Sequence, residues 1–207
     1  HSTLWPAGTL PALRARLILG RRPVVQIIPY QSRWPAEFRQ IASLLKQGLG
    51  EMALRIDHIG STAVPGLAAK DVIDIQVTVA VLDERLRLAF EALGMPGVEG
   101  MQHDHRPPGA TGPDSDWEKL YFHEAPGERR AHIHVRVAGR PNQRYPLLFR
   151  DYLRSHPASA AAYAELKRRL ASPAKYSGGV PGLANPEDYP VVKDPTVDLI
   201  YFAAEDW

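Results

Sequence analysis

The residues with the clearest chemical potential are Gly60, Ser61 and Thr62, which follow a strand-like segment, and Asp74, which stands inside the next one. A glycine reaches backbone angles closed to other residues, so its amide can approach an anion closely. Ser61 and Thr62 add hydroxyl donors, and successive amides in such a turn can form a nest for phosphate oxygens. Lys70 lies between the turn and the Asp74 strand and can neutralise further phosphate charge. The alternative is an ordinary tight connection built on Ser, Thr and Pro, because short motifs recur without function. This is no Walker loop, since no Gly-Lys-[Ser/Thr] follows.

Asp74 interrupts an otherwise Ile/Val strand, where a carboxylate is destabilising unless it has a partner or lines a cleft. Magnesium is held by one or two carboxylates plus substrate phosphates, and an acid at i+2 would share Asp74's face. Gln76 occupies that position, a weaker and neutral ligand. The polar side of a half-exposed sheet explains the same pattern. His132 and His134, also at i and i+2, could ligate a borderline metal from one strand face or serve as structural imidazoles, with His58 near the end of the strand before Gly60. Arg150, Tyr152, Tyr163 and Lys167 read as solvated or packing residues.

The elements that must position these groups follow from periodicity. Val24 to Ile28 reads as a strand. Ser32 offers an N-cap and Pro35 suits the first turn of a helix, in which Phe38, Ile41, Leu45 and Leu49 recur at helical spacing. Leu54 to Ile59 reads as a strand. Val72 to Val79 alternates, with Ile73, Ile75, Val77 and Val79 on one face and Asp74, Gln76 and Thr78 on the other. Asp83 caps an expected helix that ends at Gly94. Residues 96 to 116 read as a long loop, and Trp117 to His123 with Arg130 to Val137 as an antiparallel hairpin. Helices are expected over Tyr145 to Ser155, over Ala158 to Leu170 and, after a Gly/Pro-rich stretch from Ser177 to Pro186, from about Thr196 to Ala204. The pattern predicts an α/β (α+β) fold, a mixed sheet flanked by helices with a helical C-terminal part.

Composition narrows the function classes. With 207 residues the chain is long enough for one cored domain, expected over 24–207 behind an N-terminal extension, 1–23. It has no cysteine, which excludes a thiolate nucleophile and a Cys-based zinc site. A formal net charge of +2 suits a phosphate ligand, but there is no basic stripe of a dedicated nucleic-acid protein. No long apolar run suggests a membrane span. Prolines and arginines break Leu4 to Pro23, so it does not read as a signal peptide; the expected compartment is the cytoplasm.

Together these segments resemble the GrpB-like family of the nucleotidyltransferase fold superfamily. The resemblance is carried by His58 through Lys70 followed by Ile73-Asp74-Ile75, and by Pro29-Tyr30, Trp34-Pro35, His132 to Val135 and Phe149 to Leu153. It covers roughly residues 24 to 170. It implies that Gly60 and Ser61 contact phosphates and that Asp74 holds a divalent metal (magnesium or manganese, with zinc as an alternative); Thr62 and Lys70 are further phosphate-binding candidates, and Gln76, His132 and His134 further metal-ligand candidates. His134 or His132 would act as ligand or general base. The implied activity is metal-dependent nucleotidyl transfer, and the rival reading is a non-catalytic module that binds a nucleotide or phosphorylated small molecule. Related domains also occur fused to dephospho-CoA kinases, which suggests an accessory role. Two departures stand out. Gln76 replaces the second carboxylate of the wider superfamily, and Asp71 stands where the family commonly has proline.

Overall fold

The computed structural model describes residues 25–171 and 188–207. The expected extension over 1–23 and the Gly/Pro-rich stretch over 177–186 lie outside the described residues. Four strands, β1 (Arg55–Ile59), β2 (Ile73–Val79), β3 (Leu120–His123) and β4 (Ala131–Val137), form one mixed sheet in the order β1-β2-β4-β3. The central pair, β2 and β4, is parallel, and both outer strands run antiparallel to their neighbours. Helix α1 (Trp34–Leu49) and helix α2 (Glu84–Ala92) cover one face; α3 (Pro141–Ser155), α4 (Pro157–Ala171) and α5 (Asp188–Glu205) form the helical C-terminal part. The mixed sheet flanked by helices is the architecture that the sequence pattern predicts.

Alternation along the two central strands explains the layering. Ile73, Ile75, Val77 and Val79 join Ala131, Ile133 and Val135 in one core, with Trp34, Leu45, Leu86 and Phe90 packed above them. Apolar burial of this kind contributes about 25 cal/mol per Å² of apolar surface. The opposite face carries Asp74, Gln76 and Thr78 beside His132, His134 and Arg136, in register pair by pair. A second apolar cluster lies under the loop after Gly60, where Val64, Leu67 and Ala68 meet Phe149, Leu153, Tyr163 and Ala164.

Several local expectations need correction. Val24 to Ile28 makes no ladder strand among the described residues; Ile28 forms only an isolated bridge with Ala69. The N-cap of α1 is Arg33 rather than Ser32, without a side-chain cap, whereas Asp83 does cap α2 by accepting from the Leu86 amide. Residues Asp114–Trp117 form a 3₁₀ turn, so β3 starts later than the aromatic pattern suggests. Helix α5 begins before Thr196 and continues through Pro195. Asp71, which stands where the family commonly has proline, ties three segments together. It accepts from Trp34 Nε1 at 2.8 Å and Arg33 Nη2 at 2.7 Å, and pairs with Arg129 of the β3–β4 connection.

The polar face is closed by a charge network at one end. Asp104 accepts from Arg136 Nε at 2.7 Å, Arg136 Nη2 at 2.8 Å and Lys119 Nζ at 2.8 Å. These two cations hold the Asp104 carboxyl far below the usual range despite its burial, and Asn142 Nδ2 also donates to it at 3.1 Å. Lys119 and Arg136 are each only 5% exposed, so neither has water to replace this partner. Asp104→Asn should therefore cost about 3–5 kcal/mol in urea unfolding, the penalty for breaking a buried pair from one side. A loss below about 1 kcal/mol would show that the two cations are solvated.

Candidate functional site

At the other end of the polar face lies a cleft of about 150 Å³, lined by Ser61, Thr62, Lys70, Asp74, His132, Tyr163, Lys167, Tyr189 and Lys193 among others. Its floor is the turn between β1 and β2. Gly60 has φ 69° and ψ −169°, a conformation essentially restricted to glycine. A Cβ there would overlap the Asp74 carboxylate, so glycine is required both for the turn and for Asp74's seat beside it. Ser61–Ala63 continue as one 3₁₀ turn, with Ala63 N bonded to Gly60 O and Val64 N to Ser61 O.

The turn is held from outside. Arg150 of α3 donates to His58 O at 3.0 Å, and Arg154 donates to Ala63 O from two nitrogens at 3.0 and 2.8 Å. On the α1 side, His58 stacks on Phe38 and its Nε2 lies 3.0 Å from Thr62 Oγ1. Burial is the main reason that His58 is pushed down to about 4, so the ring is neutral near pH 7. Thr62 lines the cleft with its hydroxyl already engaged by His58, while Ser61 is directed to a cation.

That cation is Lys167 of α4, a residue that reads from sequence as a packing or solvated group. Its ammonium donates to Ser61 Oγ at 2.9 Å and to Ala68 O, and lies 4.6 Å from the centre of the Tyr163 ring. It is 2% exposed. Desolvation, reinforced by Lys193, pushes it down to about 7. Lys70 sits 4.0 Å from the Tyr189 ring centre and is also lowered by burial and by Lys193. Three amines thus converge on one cleft. No periodicity marks Lys167, Tyr189 or Lys193 in the sequence, and only the fold brings α4 and α5 over the Ser61 turn.

The residues first singled out divide into two groups. Gly60, Ser61, Thr62, Lys70, Asp74 and His132 come together at the cleft. His132 Nδ1 lies 3.2 Å from Asp74 Oδ1, as their direct pairing across β2 and β4 requires. Gln76 and His134 do not join them. Gln76 is fully buried; it accepts from Arg136 at 2.8 Å and donates to Gln143 O at 2.9 Å. His134 Nδ1 is 3.3 Å from Arg136 Nη2 and 3.4 Å from Lys119 Nζ, and burial with those cations lowers its basicity strongly. Both residues belong to the Asp104 network instead. His58 faces α1 rather than the cleft.

This arrangement does not match a carboxylate metal centre. Among the described residues no group of three or more His, Cys, Asp or Glu could hold a metal, and Asp74 is the one carboxylate of the described cleft lining. The described lining instead sets one carboxylate beside three amines.

Lys167 links the cleft to stability. An unfolded lysine titrates near about 10.4, so above about pH 7 the unfolded chain binds more protons than the folded one and stability rises with pH. Thermal unfolding of the ligand-free protein should thus give a higher Tm near about pH 9 than near about pH 7, and Lys167→Met should flatten part of that rise. An unchanged slope in the variant would place the Lys167 ammonium in water.

Comparison with known proteins bears on the family and the fold. The profile of the family described as GrpB protein matches residues 24–202. A dephospho-CoA kinase of Mycolicibacterium paratuberculosis is 37% identical over 90% of this chain and 47% of its own length. The YqkA protein of Bacillus subtilis is 34% identical over 72% of this chain and 40% of its own length. The chain therefore spans less than half the length of these two relatives. The crystal structure of the conserved protein GrpB from Enterococcus faecalis superposes with a TM-score of 0.67 at 30% identity, covering 86% of this chain and 96% of that one. A chain with this turn, this sheet and a family match along nearly its whole described length belongs to the GrpB family.

Proposed function

We propose that the protein binds a nucleotide or another phosphorylated small molecule by its phosphate end, in the cleft over the Ser61 turn. The observation that carries this reading is the convergence of Lys70, Lys167 and Lys193 with Ser61 on one small cavity that contains a single carboxylate. At about 150 Å³ the cavity is smaller than the roughly 300–1,000 Å³ of sites that enclose a whole ligand. It suits a phosphate or diphosphate, with the rest of the ligand outside. Lys167 supplies a buried donor beside Ser61, while Lys70 and Lys193 add charge nearer the rim. Tyr163 and Tyr189 form apolar walls that exclude water and strengthen each charge interaction.

Metal-dependent nucleotidyl transfer, the activity first expected from the resemblance, has less support. The second carboxylate position is a neutral glutamine turned toward Arg136, and His134 faces two cations rather than the cleft. A binding role, in keeping with an accessory domain, needs none of these groups. The dephospho-CoA kinase name of the mycobacterial relative puts CoA-type phosphates among the ligands to try. No helix among the described residues is long and apolar enough to cross a membrane.

Calorimetric titration with pyrophosphate, nucleoside triphosphates, CoA and dephospho-CoA tests the reading. At least one should bind, and Lys167→Met and Ser61→Ala should each weaken it roughly tenfold or more, the worth of one charge-assisted hydrogen bond. Arg87→Met, an exposed change on α2, should leave affinity unaltered. Absence of heat with every ligand from a folded sample, or equal losses in all three variants, would defeat the proposal.

A further inference from the structure

Resting on that reading, we infer that the cleft takes its phosphate ligand free of divalent cation, with the amines of Lys70, Lys167 and Lys193 supplying the positive charge that a metal supplies elsewhere. The first ground is the donor set. A magnesium ion takes one or two carboxylates and completes its octahedron with water and phosphate oxygens. Asp74 is the one described carboxylate candidate in the cleft lining, and both its oxygens have close neighbours. Oδ1 faces His132 Nδ1 at 3.2 Å, and Oδ2 is packed against the Gly60 backbone so tightly that a methyl group would not fit between them. The position two residues along β2 offers no second oxygen to the cleft, because Gln76 Oε1 accepts from Arg136.

The second ground is charge. Lys70 and Lys167 already feel Lys193 as a repelling neighbour, and Asp74 is the group that offsets it for both. A doubly charged cation placed at Asp74 would consume that offset and add to the repulsion. A free polyphosphate does the opposite, since each of its charges relieves the crowding among the amines. Magnesium on the ligand removes two of those charges before binding, so it competes with the lysines for the same oxygens. Asp74 thus packs against the Gly60 turn beside His132 rather than serving as a metal ligand.

Titration of the intact protein with pyrophosphate and with ATP, in EDTA and in saturating magnesium, manganese or zinc, decides the matter. Affinity in EDTA should equal or exceed that with metal, and Asp74→Asn should retain binding in EDTA within about threefold. Binding that is more than threefold tighter with a metal, or lost in EDTA by a folded Asp74→Asn, would overturn the metal-free assignment and leave the phosphate reading standing. Absence of binding under every condition would remove both.

Discussion

The parallel pairing of β2 with β4 is the constraint on which the remaining structure depends. Its register sets Asp74 against His132, Gln76 against His134 and Thr78 against Arg136. One side of the pair becomes a continuous Ile/Val surface and the other a continuous polar one. The apolar side is covered by α1 and α2 in the ordinary way. Much of the polar side is also buried: Gln76, Thr78 and Arg136 are all at or below 5% exposure. Thr78 Oγ1 is left without a hydrogen-bond partner, but the charged groups must find partners within the protein, because an unpaired buried polar group costs about 1–3 kcal/mol and a charge costs more.

The protein meets that demand differently at the two ends of the same face. Toward the C-terminal end of the strands Asp104, supplied from the long connection after α2, compensates Lys119 and Arg136 in a closed set. Gln76 and His134 are absorbed into it as neutral acceptors. Toward the Gly60 turn the balance is left open, with three amines around Asp74 and His132. The closed end resembles a core built from polar parts. At the open end three amines share one carboxylate in a partly desolvated space, and this imbalance is what the proposed anion site rests on.

How much of this was legible in the sequence depends on the range of the contact. The alternation of Ile73 to Val79 fixed which residues share a face, and the Gly60-Ser61 step beside Asp74 is a local feature, so both could be read directly. The residue that completes the turn, Lys167, lies on a helix more than a hundred positions away from Ser61, and nothing in its helical neighbours distinguishes it from a surface lysine. Tyr189 and Lys193 were hidden for the same reason, behind two prolines that argue against a helix starting before Thr196. Gln76 and His134 were misleading in the opposite sense. Period-2 reasoning puts them on the same face as Asp74, but a face is longer than a site, and Asp104 claims their end of it. Asp71 shows how a local departure can be structural: where the family commonly has proline, it ties Trp34 to Arg129.

The most direct test of the account is where an anion lands. Lysine side-chain chemical shifts of the intact protein, followed by NMR as inorganic pyrophosphate is added, report each amine separately. The account predicts that Lys70, Lys167 and Lys193 move together along one saturating curve, with Lys167 becoming more basic as the anion binds. Lys119, sealed in the Asp104 network, should stay still. Saturable shifts confined to other lysines, or a Lys167 resonance indifferent to pyrophosphate while the protein remains folded, would contradict it.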